Sequence, residues 1–219
     1  MNPQPQHKTI APAATPRKVQ SWVWAIVGGV VVAALIIAIL IANGSSTATS
    51  SGVNNFPLVS VNGSPLPAVP TSGNDPAVGL VMPTLTGFDY SGVVHSLPTT
   101  GKPTVVIVAA HWCPHCNNEL PQVIKWINSG LTAGVDLVVV SASANDTLPN
   151  WPPGKWLTST MKWTGPVIGD DHFKTAGDAL ATPGFPYFIA VGADGKVKAR
   201  GSGELAQADF EKVITAAKS

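Results

Sequence analysis

Hydrophobic and polar positions divide this chain into segments of different character. From Trp22 to Ala42 the residues are almost all apolar and none is charged. Roughly 20 apolar residues are what a helix needs to cross the hydrocarbon core, so 22–42 is expected to be a transmembrane anchor. Residues 1–21 are rich in Pro, Gln, Ala and Thr without apolar periodicity, the composition of a disordered tail. Residues 43–75 contain Gly44-Ser45-Ser46, Ser50-Ser51-Gly52 and Pro67 to Pro70, which is the composition of a flexible linker. Within it, Phe56 to Val61 could make a short strand.

From 76 to 219 the apolar runs are short and punctuated by turn residues. Val78 to Leu85, a turn at Gly87 to Gly92 and Val93 to Leu97 read as a hairpin. Thr104 to Ala110, built on the β-branched run Val105-Val106-Ile107-Val108, reads as a fully buried strand. A helix is expected from about Cys113 to Ser129, kinked at Pro121 and closed by Gly130 and Gly134. Val135 to Ser141 is a second buried strand, which makes a parallel βαβ crossover. Beyond the loop 145–154, Lys155 to Trp163 reads as a helix, Val167 to Asp170 as a strand and His172 to Leu180 as a helix. Pro186 to Val191 and Val197 to Gly201 form a hairpin about Asp194-Gly195, and Glu204 to Lys218 is a closing helix. The expected fold class is α/β: a mixed sheet with helices on both faces.

Charge adds topology. The net charge is +1 and charged residues are 11% of the chain, which gives no footprint for nucleic acid. Lys8, Arg17 and Lys18 precede the apolar run and no charge follows it until Asp75. The positive-inside bias therefore puts the N-terminus in the cytoplasm and residues after 43 outside, in a single-pass membrane protein. A cleaved signal peptide is the competing reading; its apolar region is usually shorter than this run.

The candidate chemistry sits in Trp112-Cys113-Pro114-His115-Cys116, which holds both cysteines of the chain. A buried strand delivers Cys113 to the first turn of a helix, where free backbone N–H groups and the helix dipole favour thiolate over thiol. The thiolate is the nucleophile of disulfide exchange. A structural disulfide closing so small a loop would gain little. The other alternative is metal, with Cys113 and Cys116 holding Cu(I) in a tethered metallochaperone and His111 or His115 as further ligands. His111 is placed either to add positive potential near Cys113 or to cap the strand end.

The element order, the motif Trp112-Cys113-x-x-Cys116-x-x-Glu119-Leu120-Pro121 and Gly184-Phe185-Pro186 before a strand together resemble the thioredoxin fold. More closely, 76–219 resembles membrane-tethered thiol–disulfide oxidoreductases of the TlpA/ResA type. The resemblance implies that Cys113 and Cys116 are catalytic, that Pro186 is the cis-proline opposite them, and that Trp112, Phe185 and Pro186 contact the substrate. It implies no cofactor, thiol- or disulfide-containing protein substrates and a redox partner for recycling. Pro114-His115 between the cysteines resembles the oxidising thiol oxidase DsbA and tunes the pair toward oxidation, because positive charge beside Cys113 stabilises the reduced form. The scaffold, by contrast, resembles reductases, including those serving cytochrome c maturation. Thioredoxins carry a buried acid six residues before the first cysteine, where this chain has Ile107; that departure favours oxidation.

Among remaining groups, Trp151, Trp156, Met161 and Trp163 are expected in the core rather than on a docking face. Asp170 or Asp171 is expected to cap the following helix.

Overall fold

The computed structural model describes residues 54–99 and 101–219. The tail 1–21, the apolar run 22–42 and the linker before residue 54 lie outside the described residues. Among the described residues no helix is long and apolar enough to cross a membrane.

Two sheets organise the fold. β4 (Thr104–Ala109) is the middle strand of a five-stranded sheet in the order β6-β5-β4-β7-β8. β5 (Asp136–Ser141) and β6 (Val167–Gly169) continue it in parallel, and β7 (Tyr187–Val191) and β8 (Val197–Ser202) in antiparallel. Every residue of β4 and of β7 is buried, as their unbroken apolar runs require. Successive side chains alternate between faces. Val105 and Ile107 join Leu120, Trp126, Phe188 and Phe210 on one side, under α1 (Pro114–Asn128) and the C-terminal helix (Gln207–Ala217). Val106 and Val108 join Leu85, Leu97, Ile168 and Leu180 on the other.

That second face corrects one expectation. It is covered less by helices than by a separate sheet, β1 (Val59–Asn62), β2 (Thr84–Phe88) and β3 (Val94–Leu97), all antiparallel. The hairpin is present, but its first strand starts at Thr84 rather than Val78, because Val78 to Leu80 turn back on Asp75 and Ala77. Gly87 lies where β1 crosses β2 against β6. A Cβ there would meet Ile168 Cγ2 at 2.8 Å and the Leu58 carbonyl at 3.3 Å, so only glycine lets the two sheets close.

The described part of the expected linker, 54–75, is also not a tether. Val59 pairs with Gly87 to begin β1, and Leu66 is buried with its amide donating to the Ala179 carbonyl. Arg200 on β8 reaches back: its Nε donates to Asp75 Oδ2 at 2.7 Å, a second donor meets Oδ1, and Nη1 donates to the Pro67 carbonyl at 2.8 Å. Composition alone could not show this, since Pro- and Gly-rich chain makes few contacts with itself and is ordered here by what lies beneath it.

Three helices differ from their expected spans. Pro153–Lys155 is a single α turn (α2) that widens into a π-helix over Trp156–Met161. A π repeat sets residues five apart on one face, so Trp156 and Met161 both enter the core. Trp163 is buried with them, and Trp151 is partly buried against Phe56. α3 covers only Thr175–Ala179. Asp170 accepts the amides of Asp171, Ala176 and Gly177, and Asp171 those of Phe173 and Thr175. Neither is the N-cap expected of them, which is Lys174 at φ +62°; both reach the first-turn amides from outside, because the chain leaves the helical path before Lys174. The C-terminal helix, α4, starts at Gln207 rather than Glu204.

Asp75→Ala would leave the Arg200 guanidinium, whose side chain is 0% exposed, without its carboxylate. Asp75 is itself part-exposed, so the expected loss is about 2 kcal/mol, below the cost of breaking a wholly buried pair. Denaturant unfolding of the full chain measures it, and limited proteolysis should show cleavage within 63–75 rising in the variant.

Candidate active site

β4 runs out at Ala109, and the chain turns through Ala110, His111 and Trp112 to Cys113, the N-cap of α1 in extended conformation (φ −76°, ψ 120°). Pro114 takes the first helical position, where its missing N–H costs nothing and its fixed φ suits the helix. Pro121 lies inside α1, which continues past it to Asn128. Asn117, whose carbonyl Pro121 cannot bond, turns its side chain to the site instead: Nδ2 donates to the Cys113 carbonyl at 2.9 Å, and Oδ1 accepts Trp156 Nε1 at 2.8 Å.

Both cysteines are free thiols, and their surroundings differ. Cys113 is 5% exposed and its Sγ donates to the Phe185 carbonyl at 3.5 Å. Cys116, one turn on, is fully buried among Ile107, Leu120 and Ala109. Burial pushes the Cys116 thiol well above its ordinary range, and the neighbouring Cys113 opposes its ionisation further. One sulfur can therefore meet a partner while the other waits behind it.

The Phe185–Pro186 peptide is cis and faces the cysteines, as the resemblance implied for Pro186; the bond before Pro183 is not cis. The Phe185 ring meets Trp112 edge to face at 5.8 Å, and Trp112 Nε1 donates to the Ser143 carbonyl at 2.8 Å. The Pro186 carbonyl accepts the Gly203 amide at 2.8 Å. Trp112, in the cysteine turn, and the distant pair Phe185 and Pro186 are thus gathered about Cys113.

His111 does not add charge to the site. Its ring is fully buried; Nδ1 lies 2.7 Å from the Pro149 carbonyl, and Nε2 accepts the Asn145 amide at 3.1 Å. Only the neutral tautomer protonated at Nδ1 satisfies both, and burial pushes the imidazole below its usual range. With Asn150 Nδ2 donating to the His111 carbonyl at 2.8 Å, the residue pins the loop 145–150 against the cysteine turn. His115 is on the surface, and its Nδ1 lies 2.6 Å from Glu204 Oε1. The two histidines do not converge with the cysteines, and among the described residues no three His, Cys, Asp or Glu side chains form a metal-ligand group.

Two functional residues carried no assigned role in the sequence. Glu119 is three residues after Cys116, hence on the same helix face, and 2% exposed. Its Oε2 accepts the Leu205 amide at 3.2 Å while Oε1 is buried without a partner. Burial raises its carboxyl to about 7. The signal was available: an acid at the inward-facing position after the second cysteine is anomalous. Glu204, whose Oε1 also accepts Asn118 Nδ2 at 3.2 Å, is 89 positions from His115, and nothing local marks it.

Comparison with known proteins follows this geometry. The Redoxin family profile matches residues 77–214. Among solved structures, the thioredoxin domain of a thiol–disulfide oxidoreductase from Bacteroides vulgatus aligns at 25% identity and TM-score 0.51, covering 64% of this chain and 96% of that one. A protein from Chlorobium tepidum assigned as the thiol:disulfide interchange protein DsbE gives 22% and 0.54, with 64% and 96% covered. A secreted Mycobacterium tuberculosis disulfide oxidoreductase homologous to Escherichia coli DsbE gives 20% and 0.50, with 60% and 94% covered. No curated protein sequence matches. The last two likenesses speak to the thioredoxin fold alone. The profile, which spans more than half of the sequence and includes both cysteines and the Phe185–Pro186 peptide, settles the wider question: the chain belongs to the Redoxin family.

Proposed function

We propose that this thiol–disulfide oxidoreductase works outside the cytoplasm, held at the membrane by residues 22–42, and passes disulfides to thiol-bearing protein substrates. The observation that carries the exchange chemistry is the asymmetry of the two sulfurs: Cys113 at a helix start beside the Phe185–Pro186 peptide, Cys116 sealed behind it. The oxidising direction rests on the likeness of Pro114-His115 to the dipeptide between the cysteines of DsbA. The setting is supported by the uncharged run 22–42 and the basic residues before it.

In the oxidising direction a substrate thiolate, lying along residues 184–185 in strand-like pairing, attacks Sγ of Cys113 in the Cys113–Cys116 disulfide. The new bond joins substrate sulfur to Cys113, and Cys116 departs with the electron pair. Glu119 gives that sulfur a proton, leaving a neutral thiol in its apolar site. A second substrate thiolate attacks the substrate sulfur of the mixed disulfide, forming the substrate disulfide and releasing Cys113 as a thiolate at the start of α1. Two electrons have passed to the cysteine pair, and a disulfide-bearing redox partner must take them away. Glu119 serves the reverse direction equally, by taking the Cys116 proton. This favours a second reading, reduction of disulfides such as those met in cytochrome c maturation.

Cys116→Ala in the full-length chain, with Cys113 first charged as its glutathione mixed disulfide, should exchange with substrate thiolates, releasing glutathione and accumulating substrate proteins as disulfide adducts on Cys113, seen as reductant-sensitive bands on non-reducing gels; none forming in a thiol-rich extracytoplasmic extract would refute the exchange reading. The reduction potential decides direction: oxidation requires a value nearer DsbA's, about −120 mV, than thioredoxin's, about −270 mV.

Glu119→Gln keeps an acceptor for the Leu205 amide and removes the titrating proton. The rate of mixed-disulfide resolution should fall by about 100-fold, the low end for a general acid–base group, and lose its pH dependence near 7. Stability changes in the opposite sense. Folded Glu119 holds its proton up to about pH 7, whereas an ordinary carboxyl loses it near 4.5. Native protein thus binds the extra proton between these values, and its stability falls as pH rises through them. Above pH 7 the variant should be the more stable, by up to ~3 kcal/mol, as measured by urea unfolding at pH 5 and pH 8.

A further inference from the structure

The two residues Glu204 and Leu205, in the turn between β8 and α4, both reach the active helix. The Glu204 carboxylate bridges His115 Nδ1 at 2.6 Å and Asn118 Nδ2 at 3.2 Å on its outer face, and the Leu205 amide meets Glu119 at 3.2 Å on its buried side. We propose that Glu204 is a positioning residue that turns His115 away from Cys113 and thereby restrains the oxidising power of the cysteine pair. The inference rests on the thiol–disulfide reading above.

The argument is geometric. An imidazole has one hydrogen at Nδ1, and a hydrogen engaged at 2.6 Å with a carboxylate is not offered to a neighbouring sulfur. The two side chains have opposite charge when the ring is protonated, so at the distance of Cys113 their fields largely cancel. The ion pair also holds the Glu204 carboxyl below its usual range, through the His115 hydrogen bond first and then that of Asn118. The groups facing His115 are therefore Glu204 across the gap, Asn118 beside it, and the two cysteines and Glu119 on its own helix. Without Glu204, the ring would face the cysteines with its proton and its charge uncommitted. The reduced pair, with Cys113 as thiolate, would then gain stability, and the disulfide would become the stronger oxidant. Side chains 67% and 40% exposed interact through a screened field, so the effect is moderate and salt-dependent.

The test is Glu204→Gln, which keeps the acceptor and removes the charge, in the purified full-length chain equilibrated with glutathione buffers at about pH 6, where an imidazole is charged. The equilibrium should move about two- to fivefold toward the dithiol, the range an exposed pair supports, and Cys113 should ionise at lower pH by thiolate absorbance. Both changes should shrink at high salt and largely vanish in a His115→Ala background. An equilibrium unaltered by Glu204→Gln, or altered equally with and without His115, overturns the inference while leaving the exchange chemistry intact. A wild-type chain that fails to exchange with glutathione at all overturns the chemistry itself, and this inference with it. Thermal unfolding of each variant shows that the fold is retained.

Discussion

A fully buried strand that hands its chain directly to a helix start is the constraint on which the site depends. β4 has no exposed residue, and its neighbours β5 and β7 hydrogen-bond to it on both sides. Its end therefore cannot move, and the turn from Ala110 to Cys113 inherits that rigidity. Cys113 is placed at the mouth of α1 by the same geometry that drives Cys116, one turn later, into the core under Ile107 and Leu120. The difference between a sulfur at the helix mouth and one sealed behind it follows from helical pitch and the position of the sheet, with no device specific to the reaction.

Around that fixed point the polar groups are satisfied by long-range partners. His111 bonds Pro149 and Asn145, Trp112 bonds Ser143, and Asn117 bonds Trp156 and the Cys113 carbonyl. A buried polar group left without a partner costs about 1–3 kcal/mol, so the His111 and Trp112 bonds hold the loop after β5 to the cysteine turn. Glu119 Oε1 is the exception, buried with no partner. Burial disfavours its ionised form, which is why its carboxyl is raised toward neutrality.

The N-terminal segment shows the same dependence on what surrounds it. Residues 54–75 carry little periodicity, yet they supply β1, the buried Leu66 and the Asp75 partner of Arg200. Their order comes from the outer face of the five-stranded sheet, which α3 covers only in part. The three-stranded sheet completes that cover, and Gly87 permits the approach.

The sequence by itself determined whatever depends on neighbours along the chain. The apolar run 104–109, the Cys-x-x-Cys at the following helix start and the Asp194-Gly195 hairpin are local patterns, each tied to backbone geometry, and the strands and the helix follow from them, whereas Pro186 opposite the cysteines came from the family resemblance. Charge around a sulfur is different, because it sums over groups that only folding brings together. His111 reads as a cation beside Cys113 and is neutral once Asn145 and Pro149 enclose it. His115 reads as free to act on Cys113 and is engaged by Glu204, 89 positions away. Ile107 reads as a missing acid, and folding buries a different one, Glu119, on the inner side of the helix. The tertiary structure alone decided these three, since electrostatic environment depends on distance through space and on exclusion of water, and neither is written in the order of residues.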